Sequence, residues 1–167
     1  MRIIRYREEK QVCLGVVTDD DRAYRLQDRD FLSLVQRARA QDLQPSALIR
    51  QEEKQLEPLT NDWTMLDLLV PIEAPEVWAA GVTYERSREA RNTEVQSKGP
   101  VAVSYHDKVY EADRPEIFFK SSAARTRGPG EHVCIRSDSN WQVPEPELGL
   151  VVDADGEILG YTIGNDM

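Results

Sequence analysis

Three carboxylates near the end of the sequence have the residue types and spacing to hold a hard cation. Glu145 and Glu147 lie two residues apart in VPEPELGLVV, and Asp166 closes the later segment GYTIGND. Side chains in an extended strand alternate faces, so Glu145 and Glu147 point the same way. The run GLVVDADGEILGYTIG reads as strand, turn and strand, with Asp155-Gly156 as the hairpin signal. An antiparallel return brings Asp166 back to the neighbourhood of the pair. Converging carboxylate oxygens suit magnesium or calcium. The same residues also read as a solvated acidic rim, because Glu-x-Glu is a common pair.

A second group of chemically capable residues follows the apolar run EVWAAGVTY, in ERSREARNTEVQ. Arg86, Arg88 and Arg91 can clamp a carboxylate through bidentate contacts. In the plainer reading they pair with Glu85, Glu89 and Glu94 along the solvent face of a helix.

The elements that must position these groups are legible in outline. RIIRY, VCLGVVT and RAYRL predict a small antiparallel sheet, with Asp19-Asp20-Asp21 in a solvated turn. Asp30 is placed to cap a helix beginning at Phe31, and Pro45-Ser46 to open a second that runs through SALIRQEEKQL to Pro58. Leu66–Val70 with Pro71 reads as the exit from this N-terminal unit, and 71–75 as the boundary. Glu76–Tyr84 reads as a buried strand entering a loop, 85–96 as a polar helix, and RPEIFFK as an apolar strand. Ser121–Gly130 reads as a flexible loop.

Composition narrows the partners. The 167 residues carry 21 Lys and Arg against 30 Asp and Glu, a formal charge of −9. That balance lacks the basic face a nucleic-acid partner needs and gives no attraction to an anionic membrane. No apolar run approaches the roughly 20 residues that span a bilayer, and MRIIRYREEK lacks the apolar core of a secretory signal. Cys13 and Cys134 are lone and far apart, which fits reduced thiols in a cytoplasmic protein rather than a disulfide framework or zinc site.

Taken in order, WAAGVTYERSREAR, RPEIFFKSS and PEPELGLVVDADGEILGYTIGND resemble the fumarylacetoacetate hydrolase superfamily, over roughly residues 71–167. The resemblance implies an α+β fold, with a small mixed N-terminal domain at 1–70 and a mainly antiparallel β-roll at 71–167. It implies magnesium, with manganese or calcium as alternatives, on Glu145, Glu147 and Asp166. Members that cleave C–C bonds use a loop of the form Asn-Tyr-x-x-His-x-x-Glu to activate water. Here Ser87 and Ala90 stand at the His and Glu positions, and His106 and His132 lie outside the loop. Without that dyad, water has no obvious base.

The loop GVTYERSREAR instead resembles the sugar-acid dehydratase branch of that family. This implies a magnesium-dependent dehydratase of 2-keto-3-deoxy sugar acids such as 2-keto-3-deoxy-D-arabonate, yielding 2,5-dioxopentanoate. In that reading Glu116 is the acid/base residue. Ile117 and Phe118 beside it are expected to desolvate its carboxyl and raise its pKa, unless it is an ordinary exposed Glu at a strand start. Thr83 and Ser87 are candidate substrate hydroxyl contacts, and Arg86 a candidate for the substrate carboxylate.

Family members continue past the Asn-Asp segment to further active-site residues, including a lysine and a threonine. The β-roll is therefore expected to be incomplete here, with an exposed strand edge. Two other readings stand beside the dehydratase: a C–C bond hydrolase of β-diketo acids, and a non-catalytic metal-binding domain. The resemblance also implies a homo-oligomer.

Overall fold

A computed structural model describes residues 1–167 apart from Asn61, Ser87, Ala90, Arg91, 94–104, Asn140, Trp141 and Val143. The chain forms two compact units, Met1–Pro129 and Gly130–Met167.

The first unit begins with a five-stranded sheet, wholly antiparallel, in the order β4-β3-β2-β1-β5. Its strands are β1 (Arg2–Glu8), β2 (Gln11–Val17), β3 (Ala23–Arg25), β4 (Glu57–Pro58) and β5 (Asp67–Leu69). The first three are those the sequence predicts. The expected exit at Leu66–Val70 instead contributes β5, which pairs Arg5 with Leu69 and Arg7 with Asp67 at the sheet edge. In isolation its short apolar run reads as the exit from the unit; the edge of β1 makes it a strand.

Both faces of this sheet are covered. Helices α1 (Phe31–Arg39) and α2 (Pro45–Glu52) bring Leu34, Ala38, Leu48 and Ile49 onto Leu14, Val16 and Leu26. Leu59, Trp63, Leu66 and Leu68 pack on Ile4, Tyr6, Val17 and Ala23. Each fully buried aliphatic side chain contributes roughly 2 kcal/mol. Asp30 caps α1 as expected: its Oδ1 accepts from Ser33 N at 2.8 Å, while Ser33 Oγ accepts from Asp30 N at 3.0 Å. The Ser33 backbone N–H and hydroxyl, both donating to this carboxylate, lower the Asp30 pKa.

The second helix is shorter than predicted. It tightens to a 3₁₀ turn at Glu53–Gln55, and the chain is already extended at Leu56. Arg37 on α1 ties to α2 through a bond to Glu52 at 2.5 Å, and makes a bidentate pair with buried Asp28, ahead of α1, at 2.9 and 2.7 Å. The Asp19–Asp21 turn is ion-paired, with Met1 N, Arg22 and Arg2 as respective partners.

The rest of the unit holds β6 (Val77–Ala80), paired antiparallel with β7 (Ile117–Ser121), and the short helix α3 (Tyr105–Tyr110). The described residues of 85–93 are helical. The strand β6 is not buried as the sequence suggests. Trp78 is 56% exposed, and Ile117, Phe118 and Phe119 on its partner strand are exposed too. Among the described residues of this unit no second layer covers those side chains, so apolar character did not translate into burial.

The second unit is built on the predicted hairpin, β8 (Glu145–Val152) and β9 (Ile158–Asp166). At its turn Gly156 has φ +83, a conformation open to glycine, and Asp153 Oδ1 accepts from both Asp155 N and Glu157 N. Both cysteines are free, and no helix among the described residues is long and apolar enough to cross a membrane.

Candidate functional site

The hairpin ladder places Glu145 directly opposite Asp166, and Glu147 opposite Gly164. Directly opposed residues share a face, so the three carboxylates lie on one side of the hairpin. All three are half-buried, whereas Leu148, Leu150, Tyr161 and Ile163 on the other side are exposed. The alternation of EPELGLVV dictates this division, because a slip of one residue would exchange the two faces. A side chain added at Gly164 would meet nothing within 4 Å, so there is open room beside Glu147 and Asp166.

The donor chemistry and register fit a hard divalent ion. The side-chain positions do not yet converge: among the described residues no three His, Cys, Asp or Glu groups are gathered closely enough to hold one. The backbone register alone brings the three carboxylates onto one face.

The other candidates lie in the first unit. Glu116 sits just before β7, and its carbonyl accepts from Gly81 N at 2.8 Å, at the end of β6. Its carboxylate is exposed, and so are Ile117 and Phe118. The desolvation expected from those neighbours is therefore absent. What the carboxylate does have is a partner the sequence did not reveal: Tyr105 Oη donates to Glu116 Oε2 at 2.6 Å. That bond holds the Tyr105 phenol above its usual pKa. Tyr105 lies on another element and in no motif, so no local pattern marks it.

Next to Glu116 the backbone is strained. Val82 has φ +50, a left-handed conformation rare for a β-branched residue, with a cost of about 1–3 kcal/mol. Thr83 follows directly and is exposed, as is Arg86. Ser87 lies outside the described residues, with Arg91 and Glu94. Arg88 is engaged: it faces Glu85 at 3.6 Å and Asp107 at 3.8 Å, and stacks over the Tyr110 ring at 4.3 Å. It is thus a structural clasp between the helical residues around it and α3, in keeping with the plainer reading of the arginines.

His106 Nδ1 is buried with no hydrogen-bond partner among the described residues. A cavity of about 260 Å³ lined by Arg25, Leu26, Gln27, Glu52, Gln55, Leu56 and Glu57 contains none of the candidate residues.

No family model matches the chain. Over 98 residues it is 53% identical to a "Probable 2-keto-3-deoxyxylonate dehydratase" of Haloferax volcanii, covering 59% of this chain and 32% of the relative. Over 97 residues it is 50% identical to a 2-dehydro-3-deoxy-D-arabinonate dehydratase of Saccharolobus solfataricus, covering 58% and 32%. The apo structure of a 2-keto-3-deoxy-D-arabinonate dehydratase superposes with a TM-score of 0.71 at 31% identity, over 99% of this chain and 55% of that one. A structure of a dehydratase of that name complexed with magnesium and 2,5-dioxopentanoate gives 0.67 at 30% identity, with the same coverage.

The chain thus matches about a third of the length of the curated relatives and just over half of the solved ones. The resemblance to sugar-acid dehydratases read from the motifs holds, and the α+β fold with antiparallel sheets is that of the solved dehydratases.

Proposed function

We propose that this chain carries the metal-holding and acid/base residues of a magnesium-dependent dehydratase acting on 2-keto-3-deoxy sugar acids, with 2,5-dioxopentanoate as product. The observation that carries the reading is the pairing of Glu145 with Asp166, with Glu147 on the same face, in a chain whose relatives bear dehydratase names. In this reading residues 1–70 form an N-terminal domain and 71–167 the first part of the catalytic β-roll, in a cytoplasmic homo-oligomer.

Each residue has a defined task. Glu145, Glu147 and Asp166 hold the ion through hard oxygen donors, magnesium first and manganese or calcium as substitutes. When bound, that ion supplies Lewis-acid stabilisation of the charge a 2-keto acid develops as its C3 proton leaves. Glu116 takes the C3 proton, breaking C3–H, and the electron pair moves to form the C3–C4 double bond as the C4–O bond breaks; the same Glu116 returns that proton to the departing hydroxyl, which leaves as water. The unsaturated keto acid then tautomerises to the 5-aldehyde. Thr83 and Ser87 contact substrate hydroxyls, and Arg86 takes the carboxylate.

A second reading, a non-catalytic domain that binds metal only weakly, is favoured by carboxylates that share one face without closing into a cluster. The hydrolase reading needs a water-activating base, and Ser87 and Ala90 offer none.

The test is product analysis by mass spectrometry after incubating the chain with 2-keto-3-deoxy-D-arabinonate and magnesium. The expected outcome is 2,5-dioxopentanoate, abolished by a chelator. No turnover with intact magnesium binding supports the binding domain instead, and cleavage of a β-diketo acid supports the hydrolase.

A further inference from the structure

Resting on the dehydratase reading, we propose that Tyr105 is the positioning residue for Glu116, fixing its carboxylate so that one oxygen is free to exchange a proton with substrate.

Both partners are anchored by their own backbones. Tyr105 opens α3, whose Val109 is buried and lies 3.5 Å from where a Cβ on Gly81 would stand. The same helix is clasped by Asn92 Nδ2, which donates to Asp107 Oδ1 at 2.6 Å, and by Arg88 over the Tyr110 ring. Glu116 is tied to Gly81 through its carbonyl. The strained Val82 turn thus sits between the anchor of the carboxylate and the segment carrying Thr83 and, on the helical residues that follow, Arg86. The two side chains meet from these separate supports.

The geometry selects a role. An O–H···O⁻ contact at 2.6 Å has the length of a charge-assisted bond, about twice as strong as a neutral one. An exposed Glu otherwise samples many rotamers, and a general base must be held within reach of the proton it takes. The phenol occupies Oε2, and Oε1 carries no hydrogen bond among the described residues. Tyr105 keeps its own proton throughout; it orients the base and does not replace it.

The test uses the full chain with two readouts. With ¹³C-labelled tyrosine, the Tyr105 ring signal is assigned by its loss in Tyr105→Phe, and its titration is followed by NMR. It is expected to titrate above an ordinary tyrosine, and to return to the ordinary range in Glu116→Ala. Steady-state turnover with magnesium and 2-keto-3-deoxy-D-arabinonate is expected to show kcat reduced about tenfold in Tyr105→Phe with KM unchanged, and no further loss when added to Glu116→Ala. An ordinary Tyr105 titration in the unsubstituted chain shows the pair is absent and overturns the proposal, whatever the activity. Undiminished kcat in Tyr105→Phe also overturns it. A displaced titration in a chain with no turnover instead overturns the dehydratase reading and, with it, the catalytic role given to the pair.

Discussion

Glu145 and Asp166 stand directly opposite each other across the β8–β9 ladder, at the end of the hairpin remote from its Asp155-Gly156 turn. Opposed like charges repel unless a cation or a proton lies between them. Under the proposed reading, a divalent ion held on this face would offset that repulsion.

Glu145→Gln and Asp166→Asn are each expected to weaken magnesium binding by at least about tenfold, since each removes one of three charged donors. Isothermal titration of the chain with magnesium measures this directly. Unchanged affinity in both variants removes the carboxylate face as the metal site.

Asp28→Ala is expected to destabilise the N-terminal sheet-and-helix assembly by about 3 kcal/mol, because it leaves the Arg37 guanidinium half-paired beside a nearly buried site. Urea unfolding followed by far-UV circular dichroism reports the loss. Hairpin residues lie in the other unit and take no part in this network.

Tyr6 is fully buried, its hydroxyl has no hydrogen-bond partner among the described residues, and burial pushes its pKa up to about 12. The folded value lies above the unfolded one, so the associated stability is complete below about pH 10 and is lost as pH rises toward 12. Tyr6→Phe removes the unpartnered hydroxyl and is expected to be neutral or stabilising at pH 7, by up to about 1 kcal/mol. It should also flatten the alkaline loss. Thermal melts from pH 7 to 12 compare the two chains; a Tyr6→Phe penalty above 2 kcal/mol at pH 7 contradicts the account.

The apolar side of the hairpin exposes Leu148 at 59%, Tyr161 at 68% and Ile163 at 81%. Contiguous apolar surface of this kind drives association. The chain is expected to bind a hydrophobic dye and to scatter light increasingly with concentration, and Leu148→Thr with Ile163→Thr to reduce both. Equal dye binding in the double variant places the sticky surface elsewhere.

The sequence by itself determined the features whose causes are local. The hairpin follows from period-two alternation and an Asp-Gly turn, and that alternation alone puts Glu145 and Glu147 on one face. Asp30 caps α1 because its acceptor needs only the next three residues. Tertiary structure decided the rest. Asp67–Leu69 is a strand because β1 offers it an edge, which no property of those residues announces. The exposure of Trp78 and Phe118 depends on what packs over a strand, and apolar content does not specify that. The Tyr105–Glu116 bond arises only when α3 and the β6–β7 pair are brought together, since it joins side chains 11 residues apart on separate elements.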